Sequence, residues 1–131
     1  MTSVRQVQVT FDCAEPERVA RFWCEVLGYV VPPVGDSDLD GSWSACADPN
    51  GVGPRLYFQR VPESKLAKNR VHLDVRVGTG LVGAERLATL EAERDRLVAL
   101  GAVCERILVA DDVNESCIVM QDVEGNEFCL D

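Results

Sequence analysis

The chain repeats one pattern in its two halves, and this repeat limits the folds that it can adopt. Each half reads as a strand, a helix and then three further strands. Corresponding segments follow in the same order: Val7-Gln8-Val9 and Val71-His72-Leu73, Leu27-Gly28 and Leu100-Gly101, Asp48-Pro49-Asn50-Gly51 and Asp122-Val123-Glu124-Gly125, Tyr57-Phe58-Gln59 and Glu127-Phe128-Cys129. One such unit has too small a core to stand alone, so we expect the two halves to combine.

Hydrophobic spacing predicts where the elements lie. Strands are predicted over 5–13, 29–33, 42–47 and 55–61 in the first half, and over 70–77, 103–109, 117–121 and 127–130 in the second. One helix is predicted from about residue 15 to 27 and one from 84 to 100, each followed by a glycine. A turn-rich stretch covers 35–41. The sequence therefore predicts an α+β fold in a single domain over 1–131, with βαβββ modules at about 5–61 and 70–131 and a linker at about 62–69.

The net charge and the cysteines of the chain indicate which binding partners to expect and in which cellular compartment the protein resides. A net charge of −9 leaves no basic surface for phosphates, so we expect neither nucleic acid nor an anionic membrane as a partner. The chain opens directly into an alternating strand without an apolar signal segment, and no run reaches membrane-spanning length. Six cysteines are scattered without a CxxC pair, which favours reduced thiols. These features together predict a cytoplasmic protein.

Each predicted sheet has a second face, opposite its helix, that carries polar and semi-apolar side chains. Its members are Gln8, Thr10, Tyr57 and Gln59 in the first half and His72, Asp74 and Cys129 in the second. Such a face suits the lining of a ligand cavity, and the alternative is a solvated sheet face. We favour the cavity because most of these side chains are uncharged. Trp43 and Tyr57 are candidates for stacking on a planar ligand, although Trp43 fits plain strand packing equally well.

Three strings carry a resemblance that spans about Gln6 to Asp131. They are VTFDCAEPERVARFWCEVLGY, DPNG followed by RLYFQRVPESKLAKNRVHLDV, and QDVEGNEFCLD. On these strings the chain resembles the vicinal oxygen chelate superfamily, and within it the glyoxalase-like and bleomycin-resistance-like proteins common in bacteria. The resemblance implies curved mixed sheets that enclose a barrel-like cavity, and it implies a homodimer. It is specific for the fold and not for an activity, because this fold hosts many chemistries.

The resemblance also implies where a metal would bind. In metal-dependent relatives the first and last strands of each half supply one ligand each, and the matching positions here are Gln8, Gln59, His72 and Cys129. The relatives usually show His and Glu there, whereas only His72 is a strong ligand in this chain and no carboxylate is present. We therefore expect no metal, and the alternative is a divalent ion at these four residues.

Three functional hypotheses follow. The first is a protein that binds a small apolar, aromatic or cationic molecule in its cavity without a metal. The second is a lyase or isomerase acting on a small oxygenated substrate, with His72 as the base beside Asp74, or as the one strong metal ligand. We expect Cys129 to have a packing role. A nucleophilic cysteine needs a nearby base and a lowered pKa, and the sequence indicates neither for Cys129. The third and weaker hypothesis is a domain for dimerisation or regulation.

Overall fold

The computed structural model of the chain describes residues 3–33 and 40–131. The chain divides into two compact units, Met1–Ser64 and Lys65–Asp131. Their boundary falls inside the stretch 62–69 that the sequence marks as a linker. The exact extent of the two modules, and their combination into one domain, stay predictions. Of the turn-rich stretch predicted over 35–41, residues 35–39 lie outside the described residues.

The first unit is a three-stranded sheet with one helix. Its elements are β1 (Val9–Cys13), α1 (Pro16–Leu27), β2 (Trp43–Cys46) and β3 (Leu56–Arg60). Strand β3 lies in the middle, parallel to β1 and antiparallel to β2. The first and last strands of the unit are therefore neighbours.

Helix α1 has the terminal signals that the sequence predicts. Pro16 lies in the first turn, where its missing N–H costs no helical hydrogen bond, and Glu17 lies near the positive end of the helix dipole. Gly28 ends the helix with φ 70°, and its N–H donates to the carbonyl of Cys24. This left-handed conformation favours glycine because a side chain would be strained there.

The core of the first unit is aromatic. Phe11 of β1 lies between Trp23 of α1 and Phe58 of β3, with ring centroids 5.2 Å and 5.1 Å away. Such aromatic pairs contribute about 0.5–1.5 kcal/mol each beyond the burial of their surface. Phe11 and Phe58 thus mark the face that the helix covers, and the alternate residues lie on the opposite face.

The second unit is a four-stranded sheet with one helix. Its elements are β4 (Leu73–Val75), α2 (Gly83–Ala99), β5 (Val103–Leu108), β6 (Cys117–Gln121) and β7 (Glu127–Leu130). The strand order is β4-β7-β6-β5, and β4 runs parallel to β7 while the other pairs are antiparallel. The first and last strands of this unit are again neighbours.

Helix α2 packs on its sheet through Leu90 and Leu97, which are both fully buried. The apolar spacing of α2 predicts that Val98 belongs to the same stripe, but Val98 is 44% exposed. Val98 lies about 100° around the helix from Leu97, which places it at the margin of the buried stripe. None of the helices in the described part of the chain combines the length and the apolar character needed to cross a bilayer.

The two sheets confirm the predicted α+β class. Within the described residues each sheet is open, with edge strands β1 and β2 in the first unit and β4 and β5 in the second. Neither sheet closes on itself, so the barrel-like closure that the resemblance implies is not formed by either one.

Both opening strands are shorter than predicted. Strand β1 begins at Val9 and not at residue 5, and β4 covers 73–75 and not 70–77. Val7 and Val71, placed on the core face by their alternation, are 69% and 79% exposed. The partner strands set these limits, because β1 pairs with β3 only from Val9 onward and β4 pairs with β7 only from Leu73 to Val75.

The strand predicted over 29–33 is reduced to a single bridge. Val30 and Ala47 exchange two backbone hydrogen bonds, with N–O distances of 3.0 Å and 2.9 Å. Pro32 and Pro33 follow and have no N–H to donate, so the ladder cannot continue through them.

The repeated turn motif forms in the same way in both units. The carboxylate of Asp48 accepts hydrogen bonds from the backbone N–H groups of Asn50, Val52 and Gly53. The carboxylate of Asp122 accepts them from Glu124 and Asn126. In the first unit the N–H groups of Gly53 and Asn50 lower the pKa of Asp48 below its ordinary value.

A buried arginine links α2 to the residues that directly precede β6 and directly follow β7. The guanidinium of Arg86 donates twice to the carbonyl of Ser116 (3.2 Å and 3.0 Å) and once to the carbonyl of Gly78 (3.1 Å). It also pairs with the carboxylate of Asp131 at 2.7 Å. Arg86 therefore fixes the start of β6 and the chain beyond β7 relative to the helix.

We expect Asp48→Asn to remove a pH-dependent part of the stability. Because the folded pKa of Asp48 is lowered, its stabilisation is present above the unfolded pKa of about 4 and is lost as the pH falls through the folded value. Urea unfolding should show a smaller free energy of unfolding at neutral pH and a weaker decline between about pH 5 and about pH 2. Asp112→Asn, an exposed turn residue, should keep the wild-type profile. An unchanged pH profile in Asp48→Asn would show that the hydrogen bonds of the Asp48 carboxylate do not contribute to the pH dependence of stability.

We expect Arg86→Met to destabilise the chain by roughly 2–4 kcal/mol, because it removes the two guanidinium donors of the Ser116 carbonyl and the nearer cation of Asp131. Asp131 keeps Arg76 at 3.5 Å, and the Gly78 carbonyl keeps the N–H of Leu81 at 3.0 Å. Partial exposure of Asp131 keeps the loss below that of a fully buried pair. The matched control is Arg21→Met, which removes an exposed pair with Glu17 and should change stability by less than about 1 kcal/mol. Equal losses in both variants, measured by urea unfolding, would show that Arg86 is not a structural anchor.

Candidate functional site

In the first unit, the sheet face opposite α1 carries three of the predicted residues, Trp43, Tyr57 and Gln59. The strand register places Gln59 opposite Trp43 and Ala45 opposite Tyr57. The rings of Trp43 and Tyr57 stack with centroids 5.5 Å apart and an angle of 21° between their planes. Both residues are half-buried, so the pair presents a planar aromatic surface on this face.

Gln8 lies just before β1 and is bound to an arginine. The guanidinium of Arg55 donates to Oε1 of Gln8 at 2.8 Å, and its central carbon lies 5.5 Å from the ring centroid of Tyr57. The cation therefore lies over the ring of Tyr57 while it binds Gln8. Gln8 and Arg55 also line a hollow of about 660 Å³ beside the Asp48 turn.

Asp12 is a further polar residue of this face that the sequence did not predict as part of the site. Nε2 of Gln59 donates to Oδ1 of Asp12 at 3.0 Å, across the parallel pair of β1 and β3. Asp12 alternates with Thr10 on the polar side of β1. That alternation was the available signal, but only the strand register shows that Asp12 and Gln59 are partners.

In the second unit, three predicted residues come together. Nε2 of His72 lies 3.2 Å from Oδ1 of Asp74. The register of β4 and β7 places Asp74 opposite Cys129. One ligand atom from each of these three side chains lies within 4.8 Å of the others. We call His72, Asp74 and Cys129 the donor cluster.

A second thiol adjoins the donor cluster. Cys117 of β6 and Cys129 of β7 lie on the same sheet face, and their side chains are hydrogen-bonded. Burial raises the pKa of the Cys129 thiol to about 11, and Cys117 and Asp74 act in the same direction. Burial also raises the pKa of Cys117. Both thiols are therefore neutral at neutral pH, and a neutral thiol is a poor nucleophile.

The donor cluster lines a groove of about 810 Å³ within the second unit. One part of the lining is apolar and includes Leu108, Val109 and Val119. Another part is charged and includes Lys68, Arg106, Asp111 and Glu115. The groove therefore offers apolar surface and ionisable groups to the same ligand.

The chain leading into the donor cluster is held by Glu127. Its carboxylate accepts from the backbone N–H of Asn69 at 2.9 Å and pairs with Lys65 at 2.9 Å. Burial would raise the pKa of Glu127, but the N–H of Asn69 and the ammonium of Lys65 hold it below its ordinary value. These contacts fix the segment that precedes His72.

The four positions implied for a metal divide between the two units. Gln8 already accepts from the Arg55 cation, which disfavours a second cation at its oxygen, and Gln59 is bound to Asp12. His72 and Cys129 do lie together, and Asp74 supplies the carboxylate that the four positions lack. Imidazole, carboxylate and thiolate are all zinc ligands, so the donor cluster could hold a divalent metal.

Comparison with known proteins identifies the family. A family model described as a glyoxalase-like domain matches residues 8–130. No curated protein sequence matches the chain. Solved structures of low sequence identity show the same fold.

Three solved structures illustrate this similarity. A mutant fosfomycin resistance protein FosX from Listeria monocytogenes, complexed with Mn(II) and 1S,2S-dihydroxypropylphosphonic acid, is 12% identical and has a TM-score of 0.70 over 99% of this chain and 90% of that one. FosX from Mesorhizobium loti is 13% identical, with a TM-score of 0.69 over 98% and 91%. A glyoxalase/bleomycin resistance protein/dioxygenase family enzyme from Burkholderia phytofirmans PsJN is 13% identical, with a TM-score of 0.67 over 94% of each chain. The chain therefore belongs to the glyoxalase-like domain family, and it shares the fold of the glyoxalase/bleomycin resistance/dioxygenase family enzyme.

Proposed function

We propose that the chain binds a small molecule in the groove of its second unit, and that this binding needs no metal. The observation that carries the proposal is the groove itself, whose volume of about 810 Å³ lies within the usual range for small-molecule sites. Its mixed lining is typical of such sites, where apolar surface supplies affinity and a few polar groups set orientation.

The apolar part of the groove is exposed to solvent and can be covered by a ligand. Leu108 is 44% exposed and Val109 is 69% exposed, although both are large hydrophobic residues. Covering this surface with an apolar ligand releases about 25 cal/mol for each Å² removed from water. The ligand should therefore have an apolar or aromatic body that lies against Leu108 and Val109.

The polar part of the groove can orient that ligand. His72 and Asp74 are about half exposed and form a pair with both donor and acceptor capacity. Lys68 and Arg106 can pair with an acidic group, and Asp111 and Glu115 with a basic one. The stacked rings of Trp43 and Tyr57 provide a separate surface in the first unit that favours planar molecules.

The relatives guide the choice of probe ligands. The FosX structure from Listeria monocytogenes holds a small dihydroxylated phosphonic acid. A suitable panel therefore combines small phosphonates and diols with planar aromatic acids and planar aromatic cations. We also propose that the chain acts as a homodimer in the cytoplasm, and light scattering of the purified protein would test the dimer.

We expect the metal-stripped protein to bind at least one member of this panel saturably, measured by calorimetry after treatment with a chelator. Leu108→Asp should weaken that binding at least about tenfold, because a charge replaces the apolar contact. The matched control is Val98→Asp on α2, a position with the same 44% exposure that does not line the groove. It should bind like the wild type.

Two results would contradict this proposal. Equal binding in Leu108→Asp and the wild type would place the ligand outside the groove. Binding that appears only after a metal is restored would show that metal independence is wrong.

The His72–Asp74 pair favours a second candidate function, a lyase or isomerase acting on a small oxygenated substrate. The two side chains are 3.2 Å apart, so the carboxylate can orient the imidazole. If Nε2 carries the proton toward Asp74, Nδ1 is left as the base. The substrate would then bind in the groove with its acidic C–H near the imidazole.

For this candidate we expect His72→Gln to lower turnover about 100-fold or more while ligand affinity changes little, because only the proton-transfer step loses its base. Steady-state kinetics and calorimetry on the same variant separate the two effects. Wild-type turnover in His72→Gln would exclude His72 as the base. Saturable binding without any turnover in the wild type would leave the binding function alone.

A further inference from the structure

We propose that the donor cluster of His72, Asp74 and Cys129 is a site for a zinc-like ion, contained entirely within the second unit. The proposal differs from the four-position set implied by the resemblance, because it uses Asp74 and needs neither Gln8 nor Gln59. It also goes beyond the proposed binding function, because the ion requires no organic ligand.

The geometry of the cluster is close to that of a coordination site. Ligand atoms around tetrahedral zinc lie about 3.3–3.8 Å apart, given metal–ligand distances of about 2.0–2.3 Å. Nε2 of His72 and Oδ1 of Asp74 are already 3.2 Å apart. The three donor atoms all lie within 4.8 Å of one another, so modest side-chain rotations bring them onto one ion.

The backbone holds two of the donors in place. Asp74 and Cys129 lie opposite each other on the parallel strands β4 and β7, so their side chains emerge on the same face. His72 directly precedes β4, and the segment before it is held by the contacts of Glu127 with Asn69 and Lys65. The site is thus built on paired strands rather than on loops alone.

The chemistry of the donors selects the class of ion. One imidazole, one carboxylate and one thiolate make a mixed N, O and S set that suits Zn²⁺, with Co²⁺ and Cd²⁺ as substitutes. The Cys129 thiol is protonated in the metal-free protein, so binding of the ion releases its proton to solvent. A hard ion such as Mn²⁺ or Mg²⁺ prefers about six oxygen ligands and gains little from a thiolate. Three protein ligands also leave a fourth position open toward the groove, as in catalytic zinc sites.

The test uses Co²⁺ as a visible substitute for Zn²⁺, with the full chain kept under a non-chelating reductant so that Cys117 and Cys129 stay reduced. We expect one Co²⁺ per chain, with a thiolate-to-cobalt charge-transfer band that Zn²⁺ displaces. Cys129→Ser should abolish that band, and His72→Gln and Asp74→Asn should each weaken binding at least about 10–100-fold. Mn²⁺ should compete poorly.

Cys104→Ser is the matched control. Cys104 is a half-buried cysteine of the same unit, and it is paired with Met120 on the helix-covered face. This variant should keep the wild-type spectrum and affinity, and circular dichroism should show all variants folded.

Three outcomes would overturn the proposal. They are the absence of stoichiometric Co²⁺ or Zn²⁺ binding, a cobalt spectrum that does not change in Cys129→Ser, and tighter binding of Mn²⁺ than of Zn²⁺. Because no organic ligand is present, none of these outcomes depends on whether the groove binds a small molecule. Conversely, if no probe ligand bound to the metal-stripped protein, the binding function would be contradicted and the proposal of the ion site would be unaffected.

Discussion

The pairing of the first strand of each unit with its last strand is the constraint on which the rest of the structure depends. β1 lies parallel to β3, and β4 lies parallel to β7. A parallel pair needs a long crossover, and the helix and the intervening strands of each unit provide it. This pairing brings Asp12 to Gln59 and Asp74 to Cys129, although each pair is far apart along the chain.

Side chains alternate along these paired strands, so the residues that form the core and the residues that form the candidate site lie on opposite faces of each sheet. In the first unit Phe11 and Phe58 point to the helix, while Asp12 and Gln59 point away from it. In the second unit Phe128 and Leu130 are fully buried, while Cys129 between them faces the groove. Substitutions on the groove side can therefore change the site without emptying the core, which explains how one fold carries many activities.

The sequence predicts the class and order of elements well because helices and the later strands have strong local signals. β6 and β7 match their predicted bounds, and Gly28 ends α1 as expected. The start of β1 and both ends of β4 were predicted wrongly, because the extent of a strand depends on its partner and no local pattern records that. For the same reason, alternation put Asp12 on the polar side of β1, yet only the register shows that Asp12 contacts Gln59 and that Cys117 contacts Cys129.

The donor cluster shows why residue types at family positions are an incomplete guide to a site. Judged by the four implied positions alone, the chain lacks a carboxylate and offers two amides, which argues against a metal. Asp74 lies two residues beyond His72 and supplies the missing charge next to the imidazole, and the strand register places it opposite Cys129. A carboxylate beside an imidazole serves equally in an ion site and in an acid–base pair. What separates these two roles is the nearby thiol of Cys129, because a zinc-like ion uses it as a ligand whereas proton transfer by His72 has no need of it.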